Sequence, residues 1–158
     1  MMLRKARPHE APKLAALWRA AWLDGHTGHV PDELMQARGP EHFSVHAEMY
    51  VGSTTVATND DEFLGLVVLD EDTGEVVQLA VDRAARGFGV GGALLRCAEQ
   101  RLSGRHRTAY LVVVPGNIRA RRFYEFHGWR DEGPMMYSAP SATGPVEVPV
   151  HRYTRVLD

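Results

Sequence analysis

Cysteine is almost absent from this chain of 158 residues, which contains only Cys97. A single thiol cannot form an intramolecular disulfide, so a small secreted domain held together by disulfides is excluded. No stretch approaches the ~18 consecutive apolar residues of a membrane-spanning helix. The first residues also lack the apolar run of a secretory signal. We therefore expect a cytoplasmic protein without a membrane partner.

The chain also has little charge excess, because 18 basic residues face 20 acidic ones and give a net charge of −2. Nucleic-acid-binding proteins need a basic surface excess, so we expect no nucleic-acid partner. The length suits one compact core, and no repeat or low-complexity linker divides the sequence. We therefore expect a single domain over residues 1–158.

The first third of the sequence has helical periodicity. Apolar residues recur at helical spacing after Pro8, and this pattern ends at Asp24-Gly25. A loop over residues 25–30 and a second helix start at Pro31 follow, and Gly39-Pro40 breaks that helix. A further amphipathic stretch covers roughly residues 41–50.

The rest of the sequence alternates between strand and helix patterns. Two helices are predicted, one from the end of the glycine-rich segment 82–92 to Gly104 and one over 117–127, with Asn117 as N-cap. Residues 138–145 are predicted to form a loop. The predicted strands are 54–58, 63–69, 75–81, 108–114 and 146–156, with a further return to the sheet from Trp129. This order predicts an α/β fold with a mixed sheet.

The glycine-rich turn between strand 75–81 and the next helix carries the most chemical information. Glycines allow positive φ and a close backbone approach, and a helix N-terminus presents unpaired N–H groups that stabilise a pyrophosphate. Ala93-Leu94 follow the glycines where a nucleotide P-loop needs Lys and Ser or Thr. The next strand also ends without the acidic residue of a dinucleotide fold. A turn that binds no ligand is the remaining alternative.

Two sequence blocks together resemble one family. The run Arg86-Gly87-Phe88-Gly89-Val90-Gly91 is similar to the phosphate-binding turn of the GNAT superfamily, the acetyl-CoA-dependent N-acetyltransferases. The later block, with Asn117, Ala120, Phe123-Tyr124-Glu125 and Gly128-Trp129, resembles the same family in order and separation. The resemblance is close over about residues 63–136 and looser before them.

The resemblance implies a fold and a cofactor. The fold is a mixed, mostly antiparallel sheet of about seven strands with one splayed pair, flanked by about four helices. Acetyl-CoA would be the co-substrate, with no metal, and its pantetheine arm would pair with the splayed strand. The implied cofactor-binding residues are Leu79, Ala80, Val81, Arg86, Gly87, Phe88, Gly89, Val90, Gly91, Gly92, Asn117 and Tyr124.

The resemblance also implies catalytic roles. Tyr124 would protonate the leaving thiolate, and a backbone N–H of the splayed strand, that of Val81, would meet the oxyanion. Glu75 matches a position where family members carry a base. An alternative remains open for each residue. Tyr124 is then an ordinary core aromatic, and Glu75 is a solvated carboxylate, with a water chain to solvent acting as the base.

Several other residues are also candidates for a place in the core or near the ligands. Cys97 lies on an apolar helix stripe and is expected in the core, which favours direct acetyl transfer in a ternary complex. Arg121 or Arg122 is expected to contact the 3′-phosphate of the coenzyme. His26 and His29 are expected in a solvated loop, with a contact to the acceptor as the alternative. Trp22 is expected to pack in the core, although it could line the pocket.

The expected activity is acetyl transfer from acetyl-CoA to a primary amine. The alternative is a non-catalytic acyl-CoA sensor or partner-binding module of the same fold. The acceptor stays open between a small-molecule amine and a protein or peptide amine, and a homodimer is possible from family habit alone.

Overall fold

One seven-stranded sheet organises the computed structural model, which describes all residues from 1 to 158. The strand order is β1-β2-β3-β4-β5-β7-β6, and only the β4–β5 pair is parallel. The strands are β1 (Met2–Lys5), β2 (Thr54–Asn59), β3 (Glu62–Asp70), β4 (Glu75–Val81), β5 (Thr108–Val113), β6 (Arg130–Ala139) and β7 (Val146–Val156). The α-helices are α1 (Ala11–His26), α2 (Asp32–Ala37), α3 (Pro40–Tyr50), α4 (Val90–Ser103) and α5 (Ile118–Phe126). The predicted α/β architecture with a mostly antiparallel sheet is confirmed.

Both faces of the sheet are covered, which explains the continuous apolar runs in its central strands. In β3, Leu66 and Val68 pack into a cluster with residues of α1 and α3. Their neighbours Val67 and Leu69 point to the other face, into a cluster with residues of α4. Alternate residues of a strand point to opposite faces, so a central strand between two helical layers must be apolar at every position.

The parallel pair β4–β5 is splayed, as the resemblance implied. Only Glu75 and Tyr110 are paired between the two strands, at the beginning of β4. On its other edge, β4 pairs with β3 along its length, with a bulge at which Val68 faces Gln78 and Leu69 faces Val76. Val77 is therefore an extra residue, and a bulge of this kind bends the strand away from its neighbour.

The structure differs from the sequence prediction in three elements. β1 was not predicted, because four residues without an apolar run form a strand only by pairing with β2. The uncertain stretch at 41–50 is helix α3, which makes five α-helices where about four were expected. The predicted loop 138–145 begins later, because β6 continues to Ala139 by pairing with Val146.

Gly65 lies where β3 passes closest to β4 and α4. A Cβ at this position would lie 2.8 Å from the Ala80 carbonyl oxygen and 3.0 Å from Leu94 Cδ1. Because the first contact is with backbone, we expect Gly65→Ala to lower the free energy of unfolding by roughly 1–3 kcal/mol. Urea unfolding checks this, with Gly52→Ala as the control, since a Cβ there meets nothing within 4 Å. Equal unfolding midpoints for the two variants would contradict it.

None of the helices combines the length and apolarity needed to cross a membrane. No three or more His, Cys, Asp or Glu side chains come together in a way that could hold a metal ion.

Candidate active site

A cleft of about 670 Å³ opens where β4 and β5 separate. The glycine-rich turn and the first turn of α4 line the cleft, together with residues of α1, α2 and α3. The cleft follows from the splay, because two fully paired strands would leave no space between them. Glu75, Leu79, Val81, Asn117 and Tyr124 all line this single cleft.

Backbone amides form the end of the cleft at the glycine-rich turn. Gly87 and Gly89 have φ angles of 86° and 82°, which residues with a Cβ rarely adopt. The six N–H groups from Gly87 to Gly92 donate no hydrogen bond to any group of the chain. Three of them belong to the turn before α4 and three to the first turn of α4, whose N-terminus has no side-chain cap. Such an arrangement is an anion-binding nest of the kind that holds a diphosphate.

Phe88 takes part in this turn through its backbone only. Its side chain is 77% exposed and does not line the cleft. The cleft is instead lined by Gly87, Gly89, Val90, Gly91 and Gly92.

Three arginines surround one carboxylate at the mouth beside the nest. Asp24 accepts from Arg86 at 3.0 Å and from Arg83 at 2.6 Å, and Arg119 lines the same depression. This cluster of side chains has a net positive charge, because three guanidinium groups face a single carboxylate. The pKa of Arg119 is lowered by burial and then by Arg86, which indicates how closely these cations are gathered.

The expectation that Arg121 or Arg122 contacts the coenzyme is not supported. The Arg121 guanidinium donates to the Pro115 carbonyl at 3.1 Å, to the Tyr153 hydroxyl at 3.2 Å and to Asp131 at 3.3 Å. These three hydrogen bonds hold it against protein partners, and Arg121 does not line the cleft. Arg122 is exposed and does not line the cleft, whereas Arg119 does.

The free edge of β4 presents backbone groups to the cleft. The Asp82 amide donates to the Leu64 carbonyl on β3 at 2.8 Å. Successive amides of an extended chain point to opposite edges, so the Val81 and Leu79 amides point toward the cleft. The Leu79 carbonyl accepts from the Gln78 side chain at 3.2 Å, in place of a partner on β5. Ala80 is buried and takes no place in the lining.

Asn117 caps α5, as predicted. Its side-chain oxygen accepts from the Ala120 amide at 3.2 Å. Its side-chain nitrogen lies against α1, where a Cβ at Gly25 would come within 2.6 Å of it. Asn117 thus fixes the start of α5 and also lines the cleft.

Tyr124 reaches the cleft from α5. Its ring packs against Phe123, Trp129 and Tyr153, and its residue surface is 8% exposed. The hydroxyl makes no hydrogen bond within the chain. Burial raises the pKa of the phenol well above its usual range, so the group stays protonated and able to donate at neutral pH.

Glu75 lies at the first residue of β4, in the opposite part of the cleft. Burial, then the nearby Asp70 carboxylate, raises its pKa to about 7, while Arg152 opposes the shift. A carboxylate with this pKa can accept a proton near neutral pH and release it again. The interpretation of Glu75 as a fully solvated carboxylate is therefore not supported.

The wall around Glu75 contains residues that the sequence did not single out. The cleft is lined here by His42 and Tyr50 of α3, by Tyr137 of β6 and by Arg38 in the connection between α2 and α3. Burial lowers the pKa of His42 to about 4. It also lowers the pKa of Arg38 to about 10, which leaves that guanidinium charged at neutral pH. No local sequence signal identifies these residues, because only the fold brings them together.

Two of the weaker assignments need correction. His26 is not in a solvated loop: it belongs to the last turn of α1 and stacks on Trp22 with ring centroids 4.5 Å apart. Burial lowers its pKa to about 4. Cys97 is only partly buried and lies outside both core clusters and the cleft. Trp22 is 3% exposed and lines the cleft, as considered from the sequence.

Comparison with known proteins agrees with this geometry. Residues 11–129 match the model of the acetyltransferase (GNAT) family. An uncharacterized N-acetyltransferase of Methanocaldococcus jannaschii is 36% identical over 87 residues. That match covers 52% of this chain and 56% of the relative, so the chain spans only about half the length of the curated relative it matches.

Solved structures share the fold at lower sequence identity. A GCN5-related N-acetyltransferase from Rhodopseudomonas palustris is 18% identical, with a TM-score of 0.76 over 99% of this chain and 95% of the other. A putative acetyltransferase from Salmonella typhimurium, solved with acetyl-CoA, is 17% identical, with a TM-score of 0.70 over 100% and 94%. Identities this low establish the fold alone. With the family match over most of its length, the chain belongs to the GNAT family of acetyltransferases.

Proposed function

We propose that this protein transfers the acetyl group of acetyl-CoA to a primary amine by direct attack in a ternary complex. The observation that carries the proposal is the set of six amides without protein partners at Gly87–Gly92, which opens onto the same cleft as Glu75 and Tyr124. An anion nest, a free strand edge, an acid and a base are the parts that this reaction needs.

The coenzyme would lie along β4. Its diphosphate would sit on the nest, while the arginines around Asp24 supply positive charge at the mouth. The pantetheine arm would continue along the free edge of β4 and pair with its backbone as a short added strand. The amide of Val81 is available for this.

The direction of the arm decides which amide meets the reacting carbonyl. The nest lies beyond Val81, whereas Glu75 lies six residues before it, roughly 20 Å away along an extended strand. The thioester lies at the far end of the arm, so the Val81 amide is covered by the arm itself. We therefore assign the oxyanion contact to the Leu79 amide, about 7 Å closer to Glu75.

In the reaction, Glu75 accepts a proton from the acceptor ammonium through bridging water, because roughly 13 Å of extended strand separates Glu75 from Leu79. The neutral amine then attacks the thioester carbon, and the carbonyl oxygen gains charge beside the Leu79 amide. Collapse of the intermediate breaks the C–S bond, and Tyr124 donates its proton to the departing thiolate. The products are the N-acetylated amine and free coenzyme A. Because Cys97 lies outside the cleft, no acetyl-cysteine intermediate is needed.

Thiol release from acetyl-CoA, measured with a panel of primary amines, tests this proposal. Calorimetry with coenzyme A, ATP and NAD in parallel establishes which ligand the nest selects. Amine-dependent thiol release and preference for coenzyme A are the expected results. Tight coenzyme binding without turnover on any amine would favour the sensor alternative, and preference for ATP or NAD would overturn both.

Gly89→Ala tests the nest directly. A Cβ at φ 82° costs roughly 1–2 kcal/mol, so the turn would shift and the amides would lose their common direction. We expect the Kd for coenzyme A to rise by about tenfold or more. Gly133→Ala is the matched control, because Gly133 also has a positive φ, 100°, but lies on β6 outside the cleft. Both variants should lose stability, and only Gly89→Ala should lose coenzyme affinity.

A further inference from the structure

We propose that the acceptor is a compact amine that carries an oxyanion, such as an amino acid, and that Arg38 binds this oxyanion. The inference deepens the proposed function and depends on it. It starts from a cation that the chain leaves without a counter-ion in the acceptor part of the cleft.

Arg38 is held in place without being neutralised. Its Nε donates to the Pro140 carbonyl at 2.9 Å, and its guanidinium carbon lies 5.1 Å from the centroid of the Trp22 ring. None of the ion pairs of the chain includes Arg38. Its two terminal nitrogens make no hydrogen bond to protein. A guanidinium fixed by its Nε and by a ring keeps its terminal N–H groups free for a ligand oxyanion.

The surroundings make an anionic ligand favourable. Arg38, His26 and His42 line this part of the cleft, and burial keeps both histidines neutral at neutral pH, with pKa values of about 4. The guanidinium is therefore the cation that a ligand oxyanion would meet here. A partly buried charge without a partner is costly, and a bound carboxylate or phosphonate would remove that cost.

Tyr137 connects Arg38 to the position of the reacting amine. Burial and then the Glu75 carboxylate raise its pKa to about 12, and Arg38 opposes that rise. The phenol therefore lies within the fields of both charges. An acceptor with its ammonium toward Glu75 and its oxyanion toward Arg38 places opposite charges at both ends.

The remaining wall suits an apolar body. The same cleft is also lined by the apolar residues Trp22, Leu34, Ala139, Val148 and Val150. Apolar walls with a few fixed polar groups are typical of small-molecule sites. A protein N-terminus has no oxyanion beside its amine, so this site favours the free amino acid over a peptide chain.

Matched acceptors separate the contributions of charge and shape. The probes are leucine and phenylalanine, their amides, and the corresponding 1-aminoalkylphosphonates, each tested for thiol release from acetyl-CoA. We expect kcat/KM for the carboxylates or the phosphonates to exceed that for the amides by roughly 10- to 100-fold. Whichever oxyanion is preferred identifies the ligand chemistry.

The Arg38→Gln variant should lower kcat/KM for the oxyanion-bearing acceptors by roughly 10- to 100-fold and that for the amides by much less. Arg38→Lys keeps the charge but loses the planar fork, and should retain part of the preference. Arg105→Gln is the control, since Arg105 pairs with Asp72 on the surface away from the cleft. Melting temperature and coenzyme A affinity establish that each variant is folded.

Calorimetry of the same amino acids with the protein–coenzyme A complex gives a readout without turnover. If the unsubstituted protein binds the amino acids and Arg38→Gln does not, the inference is supported even without acetyl transfer. In that case only the proposed acetyltransferase function is contradicted. Equal kcat/KM for acids and amides overturns the inference while leaving the acetyltransferase proposal intact. An equal effect of Arg38→Gln on both classes, or no amino-acid binding, overturns it as well.

Discussion

Glu75→Gln is expected to lower kcat by roughly 10²- to 10³-fold and, at the same time, to make the protein more stable at alkaline pH. The loss follows from removing a general base whose pKa, raised by burial to about 7, suits proton transfer near neutrality. A glutamine of the same size keeps the shape of the cleft but cannot accept the proton of the acceptor.

The gain in stability follows from the sign of the pKa shift. The Glu75 pKa is raised from 4.5 to about 7 in the folded protein, so folding favours the protonated form. Its contribution to stability is complete below about pH 4.5 and is lost as the pH rises through 7. At pH 8, the free energy of unfolding of Glu75→Gln should therefore exceed that of the unsubstituted protein by up to about 3 kcal/mol. At pH 4.5 the two proteins should be equally stable.

Initial rates and melting temperatures from pH 4.5 to 9 check both parts. The rise in melting temperature at pH 8 should be roughly 5–10 °C. Glu48→Gln is the control, because Glu48 is exposed on α3 and should change neither quantity. Unchanged turnover in Glu75→Gln would remove Glu75 as the base and favour a water chain to solvent.

Tyr124→Phe is expected to lower kcat by roughly 10- to 100-fold without changing coenzyme affinity or stability. The hydroxyl makes no hydrogen bond within the chain, so its removal leaves no buried partner unsatisfied. The ring contacts with Phe123, Trp129 and Tyr153 remain. The loss lies at the low end for acid catalysis, because a thiolate departs more easily than an alkoxide or amide.

Tyr153→Phe is the matched comparison on the neighbouring strand. The Tyr153 hydroxyl donates to Glu125 at 2.8 Å and accepts from Arg121 at 3.2 Å, away from the cleft. Its removal should cost stability and leave kcat unchanged, the reverse of Tyr124→Phe. Single-turnover rates, calorimetry and urea unfolding of the two variants measure all three properties. Full kcat in Tyr124→Phe would show that Tyr124 is a core aromatic.

Much of the fold could be predicted from the sequence because the patterns that determine its helices and strands are local. Asn117 caps α5 with its own side chain, three residues before the amide that it accepts from. The strand at 146–156 alternates between buried and exposed residues over its first five positions. β1 carries no such signal, because its four residues become a strand only by hydrogen bonding to β2, some fifty positions later.

The nest was likewise accessible from the sequence, since it depends on residues within one continuous segment, whereas the splayed strand was implied by the family resemblance. Gly87 and Gly89 supply the positive φ angles that the turn requires. The expectation that Arg121 or Arg122 contacts the coenzyme is not supported, for the opposite reason. Arg121 donates to Tyr153 on β7 and to Asp131 on β6, and these partners from other elements direct its guanidinium away from the cleft.

The sequence by itself determined the glycine turn and the helix that follows it, because these are consequences of backbone conformation over short distances. The splayed strand and the place of Glu75 on it were implied by the family resemblance. Only the tertiary structure decided the electrostatics of the site. Burial raises the pKa of Glu75, lowers that of His42 and leaves Arg38 charged without a counter-ion. Burial and charge pairing depend on which distant segments meet, and α2, α3 and β6 meet at this cleft only in the folded chain.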